Sequence, residues 1–316
     1  MIRGLRPTPK KRGITVGVDV RRREIRVASL GRRGLATNGP MLARIPFSAG
    51  DGYRQLPLGQ ALKEAVEELP RRSAAAATVE SSKVTIRQTS LPPMGAREAE
   101  AAIYYQLPRL IPGMDDGATF GYVRLGDDPH SDRGNRQRYI VAAVPQEEIL
   151  ALYAAFEDAG LRLIAVELRT VAFWRFLFGA DPKRFAAPQS FGVLFLDEGT
   201  ADLAVFEDHR LCYARALVGW RNEDEEGLDE NGYLLEEVER SLLWYRKCQL
   251  GADPDSLIVI GSSDVAGICA GLTRKLGVRV YSRRPEWLDG HPLWSPDLDP
   301  GYGPALGLTL KEDCQG

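Results

Sequence analysis

The apolar positions of this chain fall into short runs whose period switches between two and about 3.6 residues. Ile14–Val20 and Glu24–Leu30 (ITVGVDV and EIRVASL) predict the two strands of a hairpin. A Gly- and Pro-rich stretch follows, from Gly31 to Pro57. The period then lengthens: Leu62, Val66 and Leu69 share a face with Ala61 and Ala65, which predicts a helix over 58–69. Val84, Ile86 and Leu91 predict a strand that Pro92 and Pro93 stop, and Ala96–Leu107 predicts an alanine-rich helix ended by Pro108. Phe120–Leu125 and Tyr139–Val144 predict strands around the polar stretch Gly126–Arg138. Pro145 opens a helix with Ile149, Leu152, Tyr153 and Phe156 on its apolar face, and Glu147 and Glu148 suit its positive end. Gly160 closes it, Leu161–Glu167 returns as a strand, and Thr170–Leu177 is again helical.

After a connection at Gly179–Ser190, which carries Pro182 and Pro188, the same plan recurs. Strands Phe191–Leu196 and Ala201–Phe206 are joined by a turn at Glu198–Thr200, and Leu211–Val218 follows as a third. Asn222–Asn231 is an acidic loop. Tyr233–Leu250 is a long helix with Leu235, Val238, Leu242 and Tyr245 on one face. Strand Leu257–Ile260, helix Val265–Leu276 closed by Gly277, and strand Val278–Ser282 complete the pattern. Strands alternating with helices predict an α/β fold with mixed sheets in two related halves. A chain of 316 residues suits about two domains, at 13–185 and 190–316, behind a basic tail at 1–12.

Composition removes several function classes. A formal net charge of −2 gives no global attraction for nucleic acid. The four cysteines are scattered without a CxxC, and three histidines stand without metal-ligand spacing, so neither a zinc site nor a disulfide framework is expected. No apolar run reaches the roughly 18–20 residues of a membrane span. The N-terminus has Arg3, Arg6, Lys10, Lys11 and Arg12 but no apolar stretch after them, unlike a secretion signal. Ser262–Ser263 lacks a G-x-S-x-G context, so a serine nucleophile is not expected there.

The chemistry worth testing sits at the two hairpins. In FGVLFLDEGTADLA an apolar run ends in Asp197 and turns through Gly199 and Thr200 into a second strand; in ITVGVDVRRREIRVASL, Asp19 stands near the same place. This skeleton resembles the phosphate-facing hairpins of the actin-like ATPase fold. Five segments in order are further similar to the PilM family, the actin-like cytoplasmic proteins of the type IV pilus assembly platform: GVDVRRREIRVASL, TIRQTSLPPMGAREAEAAIYYQLPRLIP, YIVAAVPQEEILALYAAFEDAGLRLIAVELRTVAFWRFL, FLDEGTADLAVFEDHRLCYARAL, and EEVERSLLWYRKCQLGADPDSLIVIGSSD with GPALGLTL. The sister family GspL, of type II secretion platforms, is the lesser resemblance.

The resemblance implies an inserted subdomain at about 92–165. It also implies ATP with Mg²⁺ as a cofactor: Asp19 and Asp197 would position Mg²⁺ and its waters, Gly199 and Thr200 would contact phosphate, and Gly261, Ser262 and Ser263 would face adenosine. The departures are as specific as the matches. Arg21, Arg22 and Arg23 fill the first turn where the family has small residues, and the 220–232 interval is too short for the subdomain that would cover the base. Glu198 and Glu237 are positioned as water-activating bases, but read better as solvated side chains. The expectation is therefore a scaffold, not an enzyme. It would be cytoplasmic and peripheral at the inner membrane, holding the N-terminal tail of a bitopic PilN-like partner beside other pilus platform or motor proteins. The implied surface runs around Leu91–Pro112, with Arg87, Leu91, Ile103, Leu107, Arg109 and Ile111 as contacts. The rivals are an ATP-gated switch and an actin-type filament.

Overall fold

The structure, a computed structural model, describes residues 15–22, 24–29, 40–46, 57–67, 69, 73–112, 117–128, 135–179, 189–197, 200–208, 210–218, 230–247, 253–261, 265–282, 284–291, 293–295 and 297–311. The first hairpin forms as its alternation predicts. β1 (Val16–Val20) pairs antiparallel with β2 (Glu24–Ser29), placing Val18 opposite Val27. β3 (Met41–Pro46) adds to β2 from inside the stretch that the sequence reads as Gly- and Pro-rich. On the other side of β1 lies β4 (Ala74–Thr78), parallel, and β8 (Arg162–Glu167) closes the sheet in the order β3-β2-β1-β4-β8.

β4 is a strand that no periodicity announces. Its sequence AAAAT favours helix intrinsically, yet all five residues are buried in the middle of the sheet. Tertiary packing overrides the propensity because only small side chains leave room there: Ala76 packs against Ala172 and Leu308. Helix α1 (Pro57–Ala65) covers the outer face with Leu58, Ala61 and Leu62, and stops short of the expected Leu69.

The second half repeats the topology. β9 (Ser190–Asp197), β10 (Thr200–Glu207), β11 (Arg210–Val218), β12 (Ser256–Gly261) and β13 (Arg279–Tyr281) run in the order β11-β10-β9-β12-β13. As in the first half, three antiparallel strands are followed by two parallel ones. Asp208, in the β10–β11 turn, takes φ of 46°, a left-handed value that a short polar side chain tolerates. Helices α5 (Glu230–Lys247) and α6 (Val265–Leu276) cover the outer face with Leu234, Val238, Leu242, Tyr245, Ile268 and Leu272. Tyr245 is core, as its helical position suggests, whereas its neighbour Trp244 is half exposed.

Between β4 and β8 lies a small unit. β5 (Thr85–Leu91), β6 (Ala118–Asp127) and β7 (Gln137–Pro145) form a sheet in the order β5-β7-β6, and α2 (Ala96–Leu110) packs on one face of it. The unit thus starts before residue 92 and ends before 165, because α3 (Gln146–Asp158) and β8 belong to the layers of the first half. Pro108 does not end α2. It sits one turn inside, and Ile111 N–H still reaches the Leu107 carbonyl at 2.8 Å.

Four of the residues expected to meet a partner lie in a core instead. Leu91, Ile103, Leu107 and Ile111 are at most 2 % exposed and form the core between α2 and its sheet. They build the unit and cannot touch a partner without unfolding it. Arg87 and Arg109 are exposed, with Arg87 Nη1 donating to the Ile86 carbonyl.

Two helices join the halves. α4 (Arg169–Phe178) leaves the first half but packs Phe173 on Phe195 of β9, edge to face with centroids 4.9 Å apart. α7 (Gly303–Thr309) ends the second half but lies on β1. A Cβ built on Gly307 would stand 1.8 Å from the Ala172 carbonyl oxygen, and one on Gly17 would stand 1.9 Å from that of Ala305. Backbone therefore meets backbone at both contacts.

Candidate functional site

The ends of β1 and β4, the start of α4 and the first turn-side residues of β10 meet in the cleft between the halves. Asp19, on β1, is fully buried. Its Oδ2 accepts from Arg21 Nε at 2.8 Å, and its Oδ1 accepts from Thr78 Oγ1 at 2.8 Å and from Arg169 Nε at 3.0 Å. Thr78 also accepts from Val20 N–H at 2.9 Å, which fixes its hydroxyl toward the carboxylate. Arg169 Nη1 then donates to Asp202 Oδ2 of β10 at 2.8 Å, and Ser81 Oγ donates to the same oxygen at 2.6 Å. Burial alone would raise the Asp19 carboxyl. The Arg169 and Arg21 charges and the hydroxyl bond outweigh it and hold the group below the ordinary carboxylate range.

A second charged layer lies beside the first. Arg21 Nη2 donates to the Gly301 carbonyl at 2.9 Å. The buried Arg26 donates through Nε to Glu24 at 2.8 Å and through Nη1 to Asp299 at 2.7 Å, and its guanidinium stands 5.4 Å from the centre of the Tyr302 ring. Glu24 also accepts from Arg44. Burial pushes the Glu24 carboxyl up, and hydrogen bonding and charge from Arg26 bring it below its usual value. Gly301 is required in this clamp, since a Cβ there would lie 1.6 Å from Arg26 Nη1.

These contacts decide how the implied Mg²⁺ and nucleotide fit. Mg²⁺ needs carboxylate oxygens free for an octahedral shell of short bonds and waters. Both Asp19 oxygens are already taken by guanidinium and hydroxyl donors, so a cation at that carboxylate would meet two positive charges. The Arg21 guanidinium is taken up by Asp19, Glu24 and the Gly301 carbonyl. Gly261 ends β12 with a Cβ position 2.9 Å from Leu196 Cβ and 3.3 Å from Val265 Cγ1, so packing within its own half accounts for the glycine. The first-half residues do not fit Mg·nucleotide. Gly199, Ser262, Ser263, Glu198, the side chains of Asp197 and Thr200, and the 220–229 link lie outside the described residues.

Arg169, Asp202, Thr78 and Ser81 were not singled out from sequence. The available signals were Arg169 ahead of the apolar run TVAFW and Asp202 inside an apolar strand, since a lone charge in such a setting is rarely buried unless paired. Glu237 also departs from its expected place. It is buried, not solvated, and its carboxylate meets Arg240 Nη1 at 2.6 Å and Arg215 Nη2 at 3.3 Å. Among the described residues no group of three or more His, Cys, Asp and Glu is gathered for a metal, and no helix is long and apolar enough to cross a membrane.

A second feature lies on the outside. β6 and β8 are the last strands of their sheets among the described residues, and a groove of about 530 Å³ runs between them. Tyr122 and Val123 of β6, Tyr153 of α3, and Ile164 and Val166 of β8 line it. Val123, Tyr153 and Ile164 are 46 %, 43 % and 36 % exposed, a level that leaves their side chains available. A neighbouring hollow shares Val123, Val171 and Leu211 and extends the groove past Trp174.

No protein-family model and no curated protein matches this chain. Solved structures match in fold. A chain of the PilM–PilN type IV pilus biogenesis complex aligns with 95 % of this chain and 99 % of its own length, with a TM-score of 0.71 at 19 % identity. The cytoplasmic domain of EpsL, an inner-membrane component of the type II secretion system of Vibrio cholerae, aligns with 87 % of this chain and 98 % of its own, with a TM-score of 0.50 at 12 % identity. The α/β plan with its two like-ordered mixed sheets is that of an actin-like fold.

Proposed function

We propose that this chain is a cytoplasmic scaffold of a type IV pilus assembly platform. It takes the N-terminal tail of a PilN-like membrane protein as an extended peptide in the groove between β6 and β8, and is held at the inner membrane through that partner. The observation that carries the reading is the groove itself, mostly apolar, with Glu167 and Lys311 also in its lining, and bordered by two sheet edges. Edge strands present unpaired N–H and C=O groups that an extended segment can complete, while alternate apolar side chains fill the hollow between them. Full-length likeness to a chain of the PilM–PilN complex supports the same reading. The Asp19–Arg169–Asp202 cluster supports a binding role over hydrolysis, because its donors and acceptors already satisfy one another.

Titration of the full chain with a synthetic peptide copying the partner's tail tests this. Saturable binding is expected, and Ile164→Arg and Val123→Arg are each expected to weaken it at least about tenfold, since each buries a charge against apolar peptide. Both side chains are exposed, so the melting temperature should stay within a degree or two of the parent. Leu91→Ala should do the reverse. It removes a core side chain at a cost of about 2–5 kcal/mol but leaves the groove residues in place, so peptide affinity per folded molecule is retained. Absence of binding at high micromolar peptide, or full affinity in both arginine variants, removes the proposal.

A further inference from the structure

Asp19 and Asp202 belong to different halves, and one guanidinium lies between them. Arg169 Nε stands 3.0 Å from Asp19 Oδ1 and its Nη1 2.8 Å from Asp202 Oδ2, while Nη2 donates to the Val20 carbonyl at 3.2 Å. All three side chains are buried. Two carboxylates cannot face each other in a low-dielectric cleft with both charged unless a cation sits between them. An exchangeable cation would let the cleft open and close with ligand. A side chain cannot leave. Arg169 is also fixed at its root, as the first residue of α4, the helix that packs Phe173 on the second-half sheet. Arg21 extends the same clamp from Asp19 to the Gly301 carbonyl, again across the two halves.

We propose that Arg169 permanently replaces the exchangeable cation of the actin-like cleft, so that the chain itself locks its halves together and Mg·nucleotide neither binds at Asp19 nor gates the molecule. This goes beyond the scaffold reading. It makes the conformation that presents the groove constitutive, and it stands or falls separately from peptide binding.

The test uses the full chain with its four native cysteines replaced by serine and nitroxide labels at Lys63→Cys on α1 and Thr273→Cys on α6, both exposed. Pulsed electron paramagnetic resonance should give one narrow distance population that millimolar Mg·ATP leaves unchanged, and calorimetry of the unlabelled chain with Mg·ATP should give no saturable heat. Arg169→Gln should broaden the population and shift it to longer distances. Asp202→Asn, which keeps the shape of the side chain and removes only one charge, should shift it in the same direction and serves if Arg169→Gln does not fold. Saturable, Mg²⁺-dependent nucleotide binding overturns the proposal. So does a parent distance that moves with Mg·ATP, or a distance distribution that both variants, or Asp202→Asn where only it folds, leave unaltered.

Discussion

Gly307→Ala is expected to be among the most damaging single-methyl changes in this chain. The added Cβ would lie 1.8 Å from the Ala172 carbonyl oxygen and 2.9 Å from the Phe176 amide nitrogen, so backbone atoms of α4 would have to move. No rotamer change relieves a clash between two main chains, and α4 and α7 cannot separate without opening the junction between the halves. Overpacking of this kind costs about 3 kcal/mol, which in a protein of this size lowers the melting temperature by roughly 4–5 °C. Gly17→Ala should behave alike, because its Cβ would meet the Ala305 carbonyl at 1.9 Å. Gly267→Ala is the control. It lies exposed within α6 with nothing within 4 Å of the new methyl, and should stabilise by up to about 1 kcal/mol through helix propensity. Thermal unfolding of the three variants checks the ordering, and a Gly307→Ala protein that melts with the parent would contradict it.

Asp19→Ala is expected to cost as much or more. It leaves Arg21 and Arg169 buried with one of their carboxylates gone and Thr78 without its acceptor. Removing one partner of a buried ion pair costs about 3–5 kcal/mol, mostly through the charge left behind. The same contacts set an acid response. The folded-state carboxyls of Asp19 and Glu24 lie below their unfolded values. The unfolded chain therefore binds their protons first as pH falls. Their contribution is fully present above the unfolded value of about 4 and is lost as pH drops through the lower folded value. Denaturant unfolding of the parent should show stability falling below about pH 4, with a flatter profile in Asp19→Ala. Equal slopes in the two proteins would exclude Asp19 as a source of the acid sensitivity.

The groove and the buried cluster differ in how far sequence reveals them. Tyr153 was visible as an apolar position of an amphipathic helix, and Val123 and Val166 as strand residues, but that β6 and β8 end their sheets and face each other depends on pairing between distant segments. Leu91, Ile103, Leu107 and Ile111 were legible as one apolar set. They form a core and not a docking face, since periodicity reports that a face is buried and not what buries it. Arg169 and Asp202 each looked like an isolated charge, 33 residues apart along the chain.

The sequence by itself determined the duplicated α/β plan and the actin-like resemblance, and that resemblance implied a unit inserted in the first half. The plan follows from local periods of apolar residues, and the resemblance rests in part on an acidic residue at each hairpin. Tertiary structure alone decided that AAAAT is a strand, that Arg21 binds the Gly301 carbonyl, and that Asp19 holds arginines where the family resemblance implied Mg²⁺. A strand of alanines is stable only inside a sheet. A carboxylate's role is set by which charges the fold brings within 3 Å of it, and those come from segments whose meeting no local pattern encodes.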